Sequence, residues 1–286
     1  MLKVSENSKV NLRPIHESDR HEIVNFIHFE PYIHRHLGWR SPLEWITTQP
    51  YYVMESNKKI VAALACPEDP QHVAWVRLFC VSRQVSFNDA WSNLWTMVVK
   101  YYQSKSITIA AMPMQAWFKR ILITNSFRHV YDVEMLIWEQ SPVMIPENSS
   151  PFTIRLMTIN DLPEVQTVDS DSFGLIWRNS YDALEIAFHQ AVFATVAEDK
   201  NGIVGYQIST QSQIGGHLAR LAVHPKVQSR GIGRSLVQGV LEYFRQHGFK
   251  NVTVNTQTDN HASLSLYRKM GFVTTGEEYP VYILDI

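Results

Sequence analysis

Two glycines separated by a single residue, Gly231 and Gly233, lie between arginines in the run QSRGIGR (228–234). A strand-like segment, LAVH (221–224), comes shortly before them, and a helical pattern of apolar residues begins at 231. The start of a helix presents backbone N–H groups that have no intrahelical partner, together with the positive end of the helix dipole. Glycines let the backbone approach a ligand closely. The run therefore predicts a site for an anionic group, most often a phosphate.

Two common phosphate-binding loops fit this run poorly. A P-loop requires Lys directly after its second glycine, whereas Arg234 follows Gly233 here. The dinucleotide-binding fingerprint requires a third glycine at the position of Leu236, and it follows a βαβ unit rather than the hairpin strands predicted here. A nucleotide-binding fold is therefore disfavoured.

The second half of the chain alternates between strand and helix patterns. After the glycines, the apolar positions 232, 236, 237, 240, 241 and 244 share one face of a helix. Asn260 is a predicted N-cap and Gly271 a predicted helix stop. The strands are predicted at 152–156, 192–197, 203–210, 217–224, 251–256 and 279–286, and the helices from Asp161 through 181–191, at 231–245 and at 261–270. This order indicates a mixed α/β domain.

The run Gln228–Gly233 matches Gln/Arg-x-x-Gly-x-Gly/Ala, the signature of the GNAT acyltransferase superfamily. The segment DNHASLSLYRKMGF (259–272) is similar to the second GNAT motif, N-x-x-Ala/Ser-x-x-Leu-Tyr-x-x-x-Gly-Phe. The resemblance covers about 152–286 with every element in order. It implies acetyl-CoA, or another short acyl-CoA, as co-substrate without a metal, and an amine as acceptor.

The resemblance also implies how CoA is held. The pyrophosphate would lie on the backbone amides of Gln228, Ser229, Arg230, Gly231, Ile232, Gly233 and Arg234. The amides of Leu221 and Val223 would pair with the pantetheine arm, that of Val223 near the thioester oxygen. Asn260 stands where many members contact CoA, although capping of its helix is an equally good reading.

Two side chains are candidate catalytic groups. Tyr267 occupies the position of the family tyrosine that protonates the departing thiolate, for which a phenol of pKa about 10 is suited; packing against the motif helix is the alternative. The strand HLARLAVH (217–224) resembles one in arylalkylamine N-acetyltransferases, which makes His217 a candidate base, or else a polar strand residue. Ala219 replaces a second histidine of that strand. His224 is expected to support the following turn.

The two halves of the chain resemble each other at offsets of 142 or 143 residues. LRPIHESD (12–19) matches IRLMTIND (154–161), Arg77 matches Arg220, and VKYYQ (99–103) matches LEYFR (241–245). The predicted fold class is therefore α/β: two tandem GNAT-like domains, each a mixed, mostly antiparallel sheet flanked by helices.

The predicted domains are 1–145 and 146–286, joined by a linker over the Pro- and Ser-rich segment 141–151. The segment that corresponds to the glycine loop, 81–91, has no glycine, and Leu122 stands where Tyr267 would be. The first domain is therefore expected to have lost both its hold on CoA and its acid.

Composition excludes other classes of protein. The chain has 26 basic and 27 acidic residues, which argues against a nucleic-acid-binding surface. No apolar run approaches the roughly 18 residues of a membrane span, so a cytoplasmic protein without membrane contact is expected. Cys66 and Cys80 are expected to be buried thiols, and His34 and His36 have no evident third metal ligand.

The function predicted from these features is transfer of an acetyl or short acyl group from CoA to a primary amine. The acceptor is expected to be a small amine or a protein N-terminus. The alternative is a non-catalytic acyl-CoA-binding sensor or scaffold, since Ala219 and Asn255 stand where relatives keep catalytic groups.

In the segment 170–182, where GNATs cover the acceptor, the aromatic residues are expected to be core. Asp169 and Asp171 are expected to be solvated at the surface, the alternative being attraction of an ammonium group.

Overall fold

The computed structural model describes residues 10–139 and 152–286. It divides into two compact units, one that holds the chain up to Val130 together with Pro280–Ile286, and one that holds Tyr131–Tyr279. The predicted linker, 141–151, lies outside the described residues. The domain boundary at residue 145 lies there too and stays a prediction.

The described residues of the first unit form one complete sheet, contribute strands to a second and contain three α-helices. Its elements are β1 (Val10–Pro14), α1 (Arg20–Phe29), β2 (Tyr32–Arg35), β3 (Tyr51–Ser56), β4 (Lys59–Ala65), β5 (Val73–Trp75), β6 (Leu78–Val81), α2 (Phe87–Tyr102), β7 (Thr108–Ala111) and α3 (Ala116–Thr124). The first sheet has the antiparallel order β1-β3-β4-β6-β2. In the second sheet β7 pairs in parallel with β5 and in antiparallel with the last residues of the chain, Tyr282–Asp285.

Strand β8 (Arg128–Glu139) leads into the second unit. The elements that follow are β9 (Thr153–Leu156), α4 (Leu162–Ser172), α5 (Tyr181–Gln190), β10 (Phe193–Asp199), β11 (Gly202–Gln211), β12 (Gly216–Val223), α6 (Ile232–Gln246), β13 (Asn251–Gln257), α7 (His261–Lys269) and β14 (Val273–Asp285). Their strands have the order β14-β8-β13-β12-β11-β10-β9. Strands β12 and β13 pair in parallel, whereas the pairs β10–β11, β10–β9, β11–β12 and β13–β8 are antiparallel.

The predicted amphipathic helix is α6, and it supplies one wall of the core of the second unit. All six of the predicted apolar positions are buried, from Ile232 to Phe244. The last four of them pack with Leu218 of β12, Val252 and Val254 of β13, and Tyr267 of α7. The first two, Ile232 and Leu236, pack with Ala197 of β10 and Val204 of β11. The predicted long helix after Asp161 is instead two helices, α4 and α5, because residues 173–180 leave the helical path.

An ion-pair motif repeated in both units supports the predicted duplication. In the first unit Arg13 on β1 binds Asp19 (2.7 Å) and Glu55 on β3 (2.6 Å). In the second unit Arg155 on β9 binds Asp161 (2.8 Å) and Glu198 on β10 (2.9 Å). Each aspartate also accepts from a backbone N–H three residues earlier, that of His16 or Thr158, so the motif fixes the turn from the first strand into the first helix.

The core of the first unit is rich in aromatic residues and encloses the two thiols and His34. Cys66 and Cys80 are fully buried, and burial raises the pKa of both thiols, as expected for inert cysteines. His34 is fully buried, its Nε2 lies 3.1 Å from the Val76 carbonyl oxygen, and its ring stacks on Phe118 at 4.0 Å. Burial lowers the pKa of His34 from 6.5 to about 4.

This buried imidazole makes stability depend on pH. The unfolded chain takes up a proton at His34 below about pH 6.5, whereas the folded protein does so only near pH 4, so stability falls as the pH is lowered between these values. The whole window corresponds to roughly 3 kcal/mol. We expect the His34→Gln variant to lose less unfolding free energy than the wild type between pH 7 and pH 5 in urea titrations. Equal losses would contradict this role.

Candidate active site

Strand β12 changes its neighbours partway along one of its edges. It pairs with β13 only over Gly216–Leu218, opposite Val252–Val254. Beyond that point β12 continues to Val223 beside β11, while β13 continues to Gln257 beside β8. Two parallel strands that part in this way leave facing backbone edges without a strand partner. An extended ligand with amide groups can fill such an opening by pairing with a strand edge.

The predicted pantetheine-binding amides face this opening. The N–H of His224 donates to the Val204 carbonyl of β11 (2.8 Å), which fixes the direction of the alternating amides at the end of β12. Because backbone groups alternate between the two edges of a strand, the amides of Leu221 and Val223 point away from β11. The Val223 carbonyl lies on the same edge, where it accepts from Ser172 Oγ (3.2 Å) and from Gln228 Nε2 (3.0 Å).

A β-bulge lies where the opening begins. Ile208 of β11 is opposite Arg220, but Ser209 is opposite Leu218, so Ala219 is an extra residue on β12. A bulge bends its strand and changes the direction of the residues on either side. The extra residue therefore coincides with the place where β12 leaves β13.

The glycine loop has the backbone of an anion site. Ser229 and Gly231 have positive φ angles of 62° and 88°, and Gly231 is the residue before α6 begins. Left-handed residues directly before a helix turn successive N–H groups toward one concave point. The first turn closes when the Ser235 amide donates to the Gly231 carbonyl (3.0 Å), so the amides of Ile232, Gly233 and Arg234 precede the helical hydrogen bonds.

The remaining loop residues frame this concave point. The side chains of Ser229, Arg230 and Arg234 are exposed, so both arginines can supply charge to an anion there. Gln228 also lies at the surface, but its side-chain amide is turned to the Val223 carbonyl and supports the loop. Leu266 of α7 and Val223 of β12 lie close to Gly233: a Cβ added there would be 3.3 Å from Leu266 and 3.7 Å from Val223. Helix α7 therefore borders the loop.

Asn260 and Tyr267 lie at opposite ends of α7. Asn260 caps the helix, since its Oδ1 accepts from the Ser263 amide (3.1 Å), as one of its two predicted roles requires. Tyr267 is 4% exposed and packs against Phe272 with ring centroids 5.6 Å apart. Burial raises the pKa of Tyr267 above the ordinary phenol value, so the hydroxyl keeps its proton at neutral pH.

His217 lies on β12 two residues before the bulge. Its Nδ1 is 2.9 Å from Thr253 Oγ1 on the neighbouring strand. Burial lowers the pKa of His217 below 6.5, so the ring is neutral at pH 7 and one nitrogen can accept a proton. His217 also lines a cavity of about 300 Å³ together with Ile137, Thr210 and Asn251.

One buried ion pair of the site was not predicted from the sequence. Asp169 is completely buried, contrary to the expected solvation, because it binds the guanidinium of Arg220 at 2.6 Å. It also accepts a hydrogen bond from the Tyr206 hydroxyl and one from the Asn179 amide (2.8 Å). Burial and the neighbouring carboxylate hold the pKa of Tyr206 well above its ordinary value, so Tyr206 remains a donor.

The same guanidinium fixes the segment that leads from α4 to α5. Arg220 Nη2 donates to the Trp177 carbonyl (2.6 Å), and the guanidinium carbon lies 3.6 Å from the centroid of the Phe173 ring. Phe173, Trp177 and Tyr181 fall at helical spacing in the sequence but do not share one helix, since Phe173 ends α4 and Trp177 lies in a short 3-10 turn. The sequence signal for this contact was the repeated arginine, Arg77 and Arg220.

Two further sequence predictions can be placed. His224 supports the turn after β12, as expected: its Nδ1 accepts from the Lys226 amide (3.2 Å), and its Nε2 lies 3.1 Å from Asp171. Asn255 is exposed on β13, opposite Met135.

The first unit is closed at the corresponding place. Strand β6 has β4 on one edge and β2 on the other, with Ile33 opposite Cys80. The edge that would face pantetheine is therefore already paired. At the start of α2, Ser86 Oγ accepts from the amide of Asp89 (3.5 Å), and the Asp89 carboxylate lies in the first turn. A negative side chain at that helix start disfavours a bound anion.

Comparison with known proteins agrees with this geometry. Residues 162–272 match the family described as Acetyltransferase (GNAT) family. This segment includes the loop, both catalytic candidates and α7. This part of the chain belongs to the GNAT family. GNAT acetyltransferases move an acyl group from acyl-CoA to an amine. The N-alpha-acetyltransferase 30 of Schizosaccharomyces pombe is 28% identical over 96 residues, 32% of this chain and 64% of that protein. The match thus spans less than two thirds of that relative's length.

Solved structures extend the likeness to the whole fold. A GCN5-related N-acetyltransferase from Sphaerobacter thermophilus has a TM-score of 0.63 at 14% identity, over 96% of this chain and 95% of that chain. A tandem GNAT protein from the clavulanic acid biosynthesis pathway has a TM-score of 0.62 at 12% identity, over 97% and 98%. These likenesses confirm the predicted tandem GNAT fold.

The described residues contain neither a cluster of metal ligands nor a membrane-spanning helix. Among them, no three His, Cys, Asp or Glu side chains come together in a way that could hold a metal ion. Within residues 10–139 and 152–286, no helix has the length and apolar character that a membrane span requires.

The positive φ of Gly231 gives a test of the loop. In the Gly231→Ala variant, the left-handed backbone costs about 1–2 kcal/mol, and the loop relaxes away from the anion-binding form. We expect acetyl-CoA to bind roughly fivefold to thirtyfold more weakly, measured by titration calorimetry. Gly239→Ala, in the middle of α6 with nothing within 4 Å of the added Cβ, is the matched control and should bind normally. Equal affinities would contradict the assigned loop.

The buried pair gives a test of how the site is held. Asp169→Asn leaves the Arg220 charge buried without its partner, which we expect to lower the unfolding free energy by about 3–5 kcal/mol. Asp171→Asn, on the same helix with a half-exposed carboxylate paired to His224, should cost less than about 1 kcal/mol. Chemical denaturation of the full chain measures both. Similar losses in the two variants would show that Asp169 does not neutralise a buried charge.

Proposed function

We propose that this chain is an N-acyltransferase that moves an acetyl group, or another short acyl group, from CoA to a primary amine. The observation that carries the proposal is the opening between β12 and β13. Along one edge lie the amides proposed to bind pantetheine. At one end lies the glycine loop proposed to bind the anion, and the bordering elements carry His217 and Tyr267, the proposed proton-transfer groups.

The opening and the loop together fit acyl-CoA. The pyrophosphate would be bound by the amides at the start of α6, with Arg230 and Arg234 adding charge. The pantetheine arm carries amide groups, which would pair with the amides of Leu221 and Val223 as an additional strand. Because Val223 lies beside the glycine loop, the thioester oxygen would lie farther along the arm. There the Leu221 amide, rather than that of Val223, would donate to it and stabilise the negative charge that develops.

His217 is the proposed base, directly or through an ordered water. An alkylammonium is mostly charged at pH 7 and must lose a proton before its nitrogen can attack. His217 is neutral there because burial lowers its pKa, and its hydrogen bond to Thr253 fixes the orientation of the ring. The bulge at Ala219 lies between His217 and Leu221, whose amide would bind the thioester oxygen.

Tyr267 is the proposed acid. The amine nitrogen forms a bond to the thioester carbonyl carbon, the C–S bond breaks, and the CoA sulfur leaves with the electron pair. The Tyr267 hydroxyl gives its proton to that sulfur. The proton that His217 first takes from the ammonium would be released to solvent, and the proton that the nitrogen loses after bond formation would pass through His217 to restore the Tyr267 hydroxyl. A buried phenol with a raised pKa is protonated before the step and therefore able to donate.

We propose that the chain has a single active site, in the second unit. In the first unit β2 occupies the strand edge that pantetheine needs, and buried Leu122 stands in place of the tyrosine. The relative from Schizosaccharomyces pombe is named an N-alpha-acetyltransferase, which supports an amine as acceptor here. We propose a small-molecule amine or a protein N-terminus.

The proposed acid can be tested by a single hydroxyl deletion. Tyr267→Phe removes the proton donor but keeps the packed ring, so we expect kcat to fall about 100-fold with acetyl-CoA affinity nearly unchanged. The assay is release of free CoA thiol from acetyl-CoA in the presence of a panel of amines. In the control, Tyr243→Phe, the deleted hydroxyl only donates to the Val192 carbonyl, and kcat should stay within about twofold. An undiminished kcat in Tyr267→Phe would remove that residue from the mechanism. Saturable acetyl-CoA binding without thiol release for any amine would instead favour a non-catalytic sensor.

A further inference from the structure

The cavity beside His217 has a chemical character that limits what it can bind. Its volume of about 300 Å³ lies at the lower end of the range for small-molecule sites. Ile137 of β8 and Ile214 of the β11–β12 hairpin supply apolar walls, and Thr210, Gln211 and Asn251 supply neutral polar groups. Among the described residues that line it, there is no Asp, Glu, Lys or Arg.

The cavity has a fixed floor where the hairpin meets β13. A Cβ added at Gly215 would lie 2.8 Å from the Asn251 carbonyl oxygen, and one added at Gly216 would lie 2.7 Å from the Phe244 ring. Only glycines permit this close approach, so the two residues set the shape of the floor. The side chain of Ile214 is 87% exposed at the rim, where it offers an apolar surface to a bound group.

We propose that this cavity is the acceptor pocket and that it takes a primary amine on an uncharged, largely apolar body, such as an alkylamine or an aralkylamine. The inference rests on the proposed acyl transfer. The substrate class is defined by its charge. The reacting amine is the one ionisable group of the acceptor for which the lining offers a partner.

The electrostatic reason is the absence of a counter-charge in the described lining. A second ammonium on the acceptor would lose its hydration without gaining a carboxylate, and an acceptor carboxylate would find no Lys or Arg. Polyamines, aminoglycosides and free amino acids are therefore disfavoured. The reacting nitrogen itself is served by His217, the one titratable side chain of the lining.

The test compares two amines of equal length, n-hexylamine and 1,5-diaminopentane, which differ only in a terminal methyl or ammonium group. We expect the wild-type protein to favour n-hexylamine by at least about tenfold in kcat/KM, measured by thiol release at low salt. Gln211→Glu adds a carboxylate to the lining without changing its size, and should reduce that preference about threefold to tenfold.

Gln213→Glu is the matched control, since Gln213 is exposed two residues farther along the hairpin and does not line the cavity. It should leave the preference unchanged. Equal use of the two amines by the wild type, or an equal response of the two variants, would overturn the proposal. If charged acceptors release thiol and n-hexylamine does not, the pocket assignment fails while acyl transfer stands. If no amine does, the proposed function fails first.

Discussion

The parting of β12 from β13 after Leu218 is the constraint on which the rest of the second unit depends. A continuous parallel pair would leave no backbone edge for a ligand. The extra residue Ala219 coincides with the separation, and the two faces of the sheet are then held by different means. On one face α6 and α7 pack into the apolar core, which places the glycine loop and Tyr267 beside the opening. On the other, Arg220 holds the segment between α4 and α5 through Asp169 and the Trp177 carbonyl.

The duplication shows which features belong to the fold and which belong to the chemistry. Both units keep the ion pairs of Arg13 or Arg155 that fix the first turn of the domain, so this feature is structural. The arginine that corresponds to Arg220 is also kept, but Arg77 donates to the Asp69 carbonyl and lies over the Trp45 ring instead of pairing as Arg220 does. Burial lowers the pKa of Arg77 to about 10. In the first unit the edge of β6 that corresponds to the open edge of β12 is paired with β2.

Much of the site could be predicted from local sequence, because its parts lie in short motifs. The loop at 228–234, the cap at Asn260 and the apolar face of α6 each depend on residues within one or two turns of each other. The Asp169–Arg220 pair could not be predicted in this way, since its partners are 51 residues apart and a surface aspartate looks the same in sequence. The break between α4 and α5 was missed for the same reason: a contact with β12 overrides the local helical spacing. The pairing of β2 with β6 also depends on distant residues.

The most direct measurement is the stoichiometry of acetyl-CoA binding to the full chain by isothermal titration calorimetry. The open edge of β12, the glycine loop before α6 and the closed edge of β6 together predict saturable binding of one acetyl-CoA per chain. Two equivalents would show that the first unit is not closed by β2. Absence of saturable binding would contradict the assignment of the loop and the opening as a CoA site.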